Sequence, residues 1–260
     1  ANVQKMGGVA FYVDAEYKLD VDYAHALGVD TNKMILSQPD HMEQALQTII
    51  TAIGRIKAYR EETGEAVPAL IVLDSLNAMA TKAELEGSLE DHHYAPQARV
   101  MSKALKVMAR MLSKESIGLF MISQVRQKIG VMFGDDMDTA CGKAPKFYST
   151  CIVRLDGGSA IKEGSKRVAN EVHAKVVKNQ VAPPFKKAKL RITYGRGIDR
   201  AHSIHEAVKA AGIAKVSGSW LTVGKDKWNG VGGLETLLSD DPSAVDRLVK
   251  VLREPYGWEA

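Results

Sequence analysis

Three polar side chains stand where apolar runs end. Glu16 closes the segment that begins Val9-Ala-Phe-Tyr-Val-Asp-Ala, Asp74 follows Leu70-Ile-Val-Leu73, and Gln124 follows Ile117 to Ser123. A carboxylate after a buried hydrophobic strand is a usual holder of Mg²⁺, directly or through water. Asp74 reads that way with Ser75 beside it, and it reads equally well as a helix N-cap after a strand. Glu16 could orient and activate a water that attacks a γ-phosphate; a solvated surface glutamate is the alternative. If the three runs are strands of one sheet, the three groups share its carboxyl end, where parallel sheets bind ligands.

A second chemistry is written in residues 124–148. Gly130, Gly134 and Gly142 are mixed there with Arg126, Lys128, Lys143 and Lys146, and with the apolar Ile129, Met132 and Phe133. Flexible backbone, cations and apolar wedges suit a nucleic-acid strand: cations meet phosphates and apolar groups enter between bases. By composition alone it is as well read as an ordinary surface loop. Upstream, residues 96–114 carry an apolar stripe (Ala98, Met101, Leu105, Met108, Leu112) and a basic one (Arg99, Lys103, Lys106, Arg110). On pattern alone the basic stripe is a solvated helix face.

The elements that must position these groups follow from periodicity. Val9–Val13, Met34–Ser37, Ala69–Leu73 and Ile117–Ile122 read as strands. Asp20–Leu27 looks helical, and Met42, Ala45, Leu46, Ile49, Ile53 and Ile56 predict an amphipathic helix over 41–62, ended by Thr63-Gly64 and Pro68. The continuous apolar run of Ala69–Leu73 is of the kind buried in a parallel sheet. Alternating strands and helices give an α/β fold with a mostly parallel central sheet. From Cys151 to Tyr194 the pattern becomes antiparallel hairpins that extend that sheet. Gly195-Arg-Gly197 marks a boundary, and 200–260 reads as a small α+β lobe with helices near 203–211 and 242–253.

The 260 residues can bury a substantial core, and 45% hydrophobic with 25% charged residues is a soluble globular composition. There is no apolar run of bilayer length and no visible secretory signal. Cys141 and Cys151 lack metal-ligand spacing and read as reduced thiols of a cytoplasmic protein. A formal charge of +4 is weak evidence for nucleic acid by itself. A first residue other than Met, with a strand following almost at once, leads us to expect a fragment, a processed product or an engineered segment.

Taken in order, Val9–Glu16, Ala69–Ser75, the loop at 124–148 and Lys175-Val-Val-Lys-Asn-Gln-Val-Ala-Pro-Pro-Phe185 resemble the bacterial RecA recombinases and their phage-encoded relatives. The resemblance runs from about Gly8 to about Lys250. It implies a RecA-like P-loop ATPase and DNA-binding core over 1–199, N-terminally incomplete, and a C-terminal duplex-DNA-binding lobe over 200–260. It implies ATP and Mg²⁺ as cofactors, with Glu16 as catalytic glutamate, Asp74 as the Walker B metal-site residue beside Ser75, and Gln124 as the γ-phosphate sensor that opens the DNA loop. Asp20, Tyr23, Tyr194 and Gly195 fall around the adenine. Lys178 reaches ATP on the adjacent subunit. Arg99, Ser102 and Lys106 match residues that hold the single-strand backbone. Tyr94 belongs to a first DNA loop. In the second loop Ile129 is the wedge, and Arg126, Lys128, Gly142 and Lys143 meet the backbone. Lys225, Lys227 and Trp228 contact duplex DNA, with core packing an equal reading for Trp220. The implied activity is homologous pairing and strand exchange by a homo-oligomeric helical filament on single-stranded DNA. A duplex and a LexA-type repressor are the other implied partners, and no membrane is involved.

Departures from the family pattern qualify this. No segment satisfies Gly-x-x-x-x-Gly-Lys-[Ser/Thr]: Gly142-Lys143 is followed by Ala144, and Gly224-Lys225 by Asp226. In the family that motif lies just upstream of the residue matching Ala1, so the chain alone is expected to bind ATP poorly. Gln180 replaces a second lysine and brings no charge to the phosphates. Cys141-Gly142-Lys143 stands where two glycines and an asparagine are common, and the strongly acidic tail of many relatives is absent. The rival readings are a hexameric RecA-fold helicase or related ATPase, and an ATP-independent DNA-binding or subunit-poisoning module.

Overall fold

The computed structural model describes residues 1–88, 96–113, 115–127 and 137–254, with only the backbone for Arg126, Gln127 and 137–139. Tyr94, Lys128, Ile129 and the Arg126 side chain therefore lie outside the described residues. The chain divides into two compact units, Ala1–Ser149 and Thr150–Ala260.

The first unit begins with α1 (Asn2–Lys5), β1 (Val9–Asp14), α2 (Val21–Ala26), β2 (Ile35–Ser37), α3 (Met42–Thr63) and β3 (Ala69–Asp74). A 3₁₀ turn (Leu76–Ala78), α4 (Lys82–Glu86), α5 (Pro96–Leu112), β4 (Ile117–Met121), β5 (Val125–Gln127), β6 (Met137–Thr139) and α6 (Ala144–Tyr148) follow. Strands β1 to β4 form an all-parallel sheet in the order β2-β1-β3-β4. Asp14 is paired with Asp74 and Leu73 with Met121, so the carboxyl ends of β1, β3 and β4 finish level.

Helix α3 forms where its periodicity predicts. His41 accepts from the Gln44 amide at the N-cap, and Gly64, at φ +72°, takes the left-handed conformation that ends the helix. Its buried Met42, Leu46, Ile49 and Ile53 pack with Met101, Leu105 and Met108 of α5 on Phe11, Val13, Ile71 and Leu73. Burial along β3 alternates, with Ala69, Ile71 and Leu73 buried and Leu70 and Val72 half-buried. The apolar run is continuous, but α3 and α5 cover one face of the strand, so only every second side chain enters the core.

In the second unit β7 (Cys151–Glu163), β8 (Lys166–Asn179), β9 (Lys187–Thr193) and β10 (Gly197–Ile198) make an antiparallel sheet in the order β10-β9-β8-β7. Among the described residues it is a separate sheet and not an extension of the parallel one. A strand joins a sheet only through a hydrogen-bonded ladder, and the ladders stop at β4 and at β7. Beyond it come α7 (Arg200–Ala211), the antiparallel strands β11 (Lys215–Ser217), β12 (Trp220–Val223) and β13 (Asp226–Asn229), then α8 (Gly230–Asp240) and α9 (Ala244–Arg253). Their core is built from Ile204, Val208, Leu221, Trp228, Leu234 and Leu248. Among the described residues no helix is long and apolar enough to cross a membrane.

Candidate nucleotide and DNA sites

The level strand ends bring the acidic groups together. Ser75 Oγ donates to Glu16 Oε1 at 2.7 Å, across the ends of β3 and β1. Ser75 is buried, whereas Glu16 remains partly open to solvent. Tyr12 donates its hydroxyl to Asp74 Oδ2 at 2.6 Å. Burial, and then the Asp74 carboxylate, push the Tyr12 hydroxyl far above its ordinary value, so it stays a donor. Asp14 is buried, which alone would raise its pKa; the amides of Leu19 and Lys18 and the Gln38 side chain outweigh burial and hold it below the usual carboxylate value. The cluster thus satisfies its carboxylates chiefly with neutral donors. Among the described residues its ion pair joins Glu16 to the exposed Lys18 at 3.5 Å.

Magnesium fits this donor set. Mg²⁺ prefers hard oxygens and usually takes one or two carboxylates, with waters and substrate phosphates completing its shell. Asp74 brings carboxylate oxygens of this kind to the strand end, with Oδ2 accepting from Tyr12. Among the described residues no group of three or more His, Cys, Asp or Glu side chains is placed to hold a metal ion.

Gln124 lies just past β4 with an exposed side chain, and its backbone is fixed by a residue the sequence did not flag. Asn77, in the 3₁₀ turn after Asp74-Ser75, accepts the Gln124 amide at 2.7 Å. Asp20 caps α2, accepting from the Tyr23 amide at 2.8 Å, and Tyr23 is partly exposed. Tyr12 and Gln38 also escaped the sequence reading. A signal for Tyr12 existed: it lies two residues before Asp14 and pairs with Val72, which places it on the same sheet face as Asp74.

The second unit carries the remaining nucleotide candidates. Lys178 lies half-buried on β8 opposite Ile152. Gln180 is exposed and its amide donates to Thr150. Tyr194 is exposed at the end of β9, its hydroxyl donating to Asn170 at 3.1 Å, and Gly195 follows with φ +73°.

The basic stripe of α5 is exposed as its periodicity predicts. Arg99, Ser102, Lys103 and Lys106 line a shallow groove over Ala98. A neighbouring groove joins Ser102 to Lys143 and Phe147 across α5 and α6. Gly142 has φ +72°, and a Cβ there would meet the Ala98 Cβ at 3.1 Å, so backbone and space both favour glycine. Cys141 is buried, and burial, with Glu84 adding to it, raises its thiol to about 11, so it is a poor thiolate. The thiol packs inward against the Leu76 carbonyl.

On the lobe, Lys225 and Lys227 are exposed, and Lys227 Nζ stands 4.9 Å from the centre of the Trp220 ring. Trp228 is not the duplex contact that the resemblance implies, and Trp220 does not take its core-packing reading. Trp228 is 1% exposed and donates to His205 Nδ1 at 3.1 Å, so it packs in the core and is no surface contact; Trp220 is 44% exposed. The alternation of β12 and β13 decides this, since Leu221 and Trp228 are cross-strand partners facing inward.

Comparison with known proteins shows the family. A family model described as the RecA N-terminal domain matches residues 1–199. Protein RecA of Paenarthrobacter aurescens is 40% identical over 258 residues, 99% of this chain and 72% of that protein. Protein RecA of Thermotoga neapolitana is 40% identical over 263 residues, again 99% of this chain and 72% of its own length. A solved structure described as the RadB recombinase has 21% identity and a TM-score of 0.48, covering 75% of this chain and 80% of that one. A family model matched over residues 1–199 and relatives 40% identical across 99% of the chain show that the chain belongs to the RecA family.

Proposed function

We propose that this chain serves DNA recombination and repair as an ATP-responsive, DNA-binding recombinase that assembles with copies of itself on single-stranded DNA and pairs that strand with a duplex. One observation carries the reading: the parallel sheet delivers Glu16, Ser75, Asp74 and Gln124 to one end, and the basic loop starts at Gln124. Bound Mg²⁺ would neutralise phosphate charge beside Asp74. Glu16, held by Ser75, orients and deprotonates the attacking water. Gln124 reports the γ-phosphate to the loop behind it. Arg99, Ser102, Lys106 and Lys143 hold the single-strand backbone, while Lys225 and Lys227 meet the duplex. Lys178 acts on nucleotide held by the neighbouring copy, and Tyr23 and Tyr194 stack near the base. Binding of a LexA-type repressor to the assembled form belongs to the same reading.

The test is fluorescence anisotropy of a labelled single-stranded oligonucleotide, with and without ATP and Mg²⁺, on the chain joined to a Gly-x-x-x-x-Gly-Lys-[Ser/Thr] segment ahead of Ala1. Gln124→Ala should keep nucleotide binding and lose most of the ATP-dependent tightening. Tightening that persists in full removes Gln124 from the sensor role.

A further inference from the structure

The loop that begins at Gln124 returns to the core at Cys141, and both ends are fastened to the same short turn. That turn, Leu76–Ala78, comes directly after Asp74-Ser75. At the outgoing end, Asn77 Oδ1 accepts the Gln124 amide at 2.7 Å, and Asn77 Nδ2 stands 3.5 Å from the Gln124 carbonyl. Ser123 Oγ lies 3.3 Å from Asn77 Oδ1. The Leu76 amide donates to Ile122 O at 2.9 Å, which ties the turn to the strand feeding the loop. At the returning end, the buried Cys141 thiol faces the Leu76 carbonyl at 3.8 Å. Between these ends β5 and β6 pair, with Val125 opposite Thr139.

We infer that Asn77 is a positioning residue: its carboxamide fixes the backbone of Gln124, sets how the loop leaves the sheet, and so links the strand-end carboxylates to the DNA-binding loop. This deepens the reading under "Proposed function" and rests on it for the loop's ligand. The chemistry suits asparagine in particular. The backbone of one residue presents one donor and one acceptor, and a carboxamide answers both with its own acceptor and donor. Alanine answers neither. Aspartate keeps the acceptor for the Gln124 amide and loses the donor. Hydrophobic packing does not explain the residue, because Asn77 directs its polar atoms at Ser123 and Gln124.

The test uses the 260-residue chain with Asn77→Ala and Asn77→Asp. Amide hydrogen exchange is read residue by residue, and single-strand affinity is read by anisotropy over a salt series. Asn77→Ala should speed exchange of the Gln124 amide about tenfold, as loss of one hydrogen bond does. Exchange in β3, at Ile71 to Leu73, should stay as it was. Asn77→Asp should restore most of the protection at Gln124, which a loss of packing alone would not do. Single-strand affinity of Asn77→Ala should fall about threefold to tenfold, following the same lost bond, with the salt slope unchanged because no phosphate partner is removed. Exchange at Gln124 that stays within about twofold of the unsubstituted chain overturns the inference, since the bond then contributes too little to position anything. Faster exchange with unaltered DNA affinity also overturns it, by reducing Asn77 to a local contact. If the unsubstituted chain binds no single strands, the DNA reading of the loop fails, and exchange in the two variants alone decides whether Asn77 positions Gln124.

Discussion

Two acidic clusters in this chain are assembled from similar groups and held in opposite ways. At the strand ends, Asp14, Glu16 and Asp74 take hydrogen bonds from backbone amides, Gln38, Ser75 and Tyr12, and Glu16 also pairs with the exposed Lys18. In the lobe, Asp226 and Asp241 share a single guanidinium. Arg247 grips both oxygens of the buried Asp226, through Nε at 3.1 Å and Nη2 at 2.7 Å, and Nη2 also meets Asp241 at 2.7 Å. Hydrogen bonds from neutral donors orient a carboxylate and leave its charge in place, available to a metal ion. A forked arginine cancels the charge and fastens β13 to α9. The first arrangement keeps negative charge at the strand ends; the second fastens one part of the lobe to another.

Substitutions can break this contrast. The largest effect is expected for Glu16→Gln in the chain joined to a phosphate-binding loop: hydrolysis should fall about 10²- to 10⁴-fold, the range for a positioned general base, with ATP binding nearly kept. The melting curve should hardly move, because the Ser75 hydrogen bond has an acceptor in either side chain. A phosphate-release assay beside a nucleotide titration decides, and unaltered turnover would remove Glu16 from the chemistry. Arg247→Ala should do the reverse. It strands Asp226 in the lobe core, so the lobe's cooperative melting transition should weaken or vanish by calorimetry while the first unit melts as before. A lobe that melts normally would show that the forked arginine is dispensable.

Acid should separate the clusters more gently. Hydrogen bonds from Ser243, and then Arg247, lower Asp241 from an ordinary 3.8 to about 2. A depressed carboxylate stabilises fully above its unfolded value, so this contribution is in place above about 4 and is lost as the pH falls towards about 2. His205 acts earlier in the same direction. Burial, then Lys209, lowers it below 6.5, and the Trp228 indole occupies its Nδ1. Its stabilisation is therefore present above 6.5 and declines as the pH drops below that. Melting of Asp241→Asn and His205→Gln across pH should flatten the lower and the upper part of the profile respectively. A profile unaffected by both would assign acid sensitivity elsewhere.

The smallest effects belong to the cationic surface. Lys128→Ala and Lys143→Ala should each weaken single-strand binding and reduce the salt slope by about one unit or less. Ile129→Ala removes a wedge without charge, so it should leave the slope nearly unchanged and impair strand exchange. An Ile129→Ala slope that shifts as much as the lysine variants would cancel that division of labour.

How much of this was legible in the sequence depends on the range of the signal. The strands at β1, β3 and β4, the helices α3 and α5, and the acidic groups at the strand ends follow from local periodicity, which the packing then respects. Helix α8 was not foreseen. Gly230, Gly232 and Gly233 argue against a helix by propensity, and burial of Leu234 outweighs them. The Trp220 and Trp228 assignments turned on hairpin register, which two tryptophans eight positions apart do not reveal. Asn77 was invisible for a different reason. Its partner is 47 residues away, and a lone asparagine in a turn carries no periodic signal.

The placement of the two described tryptophans also gives the lobe its own optical labels. Trp228, enclosed beside His205, should emit like an indole in a dry interior and resist soluble quenchers, whereas Trp220, exposed beneath Lys227, should emit at longer wavelength and be quenched readily. With Trp258 replaced by Phe, one emission spectrum would then separate two events. Loss of the blue component would mark opening of the lobe. A change confined to the red component would mark something settling on the Lys227 face while the interior stays shut.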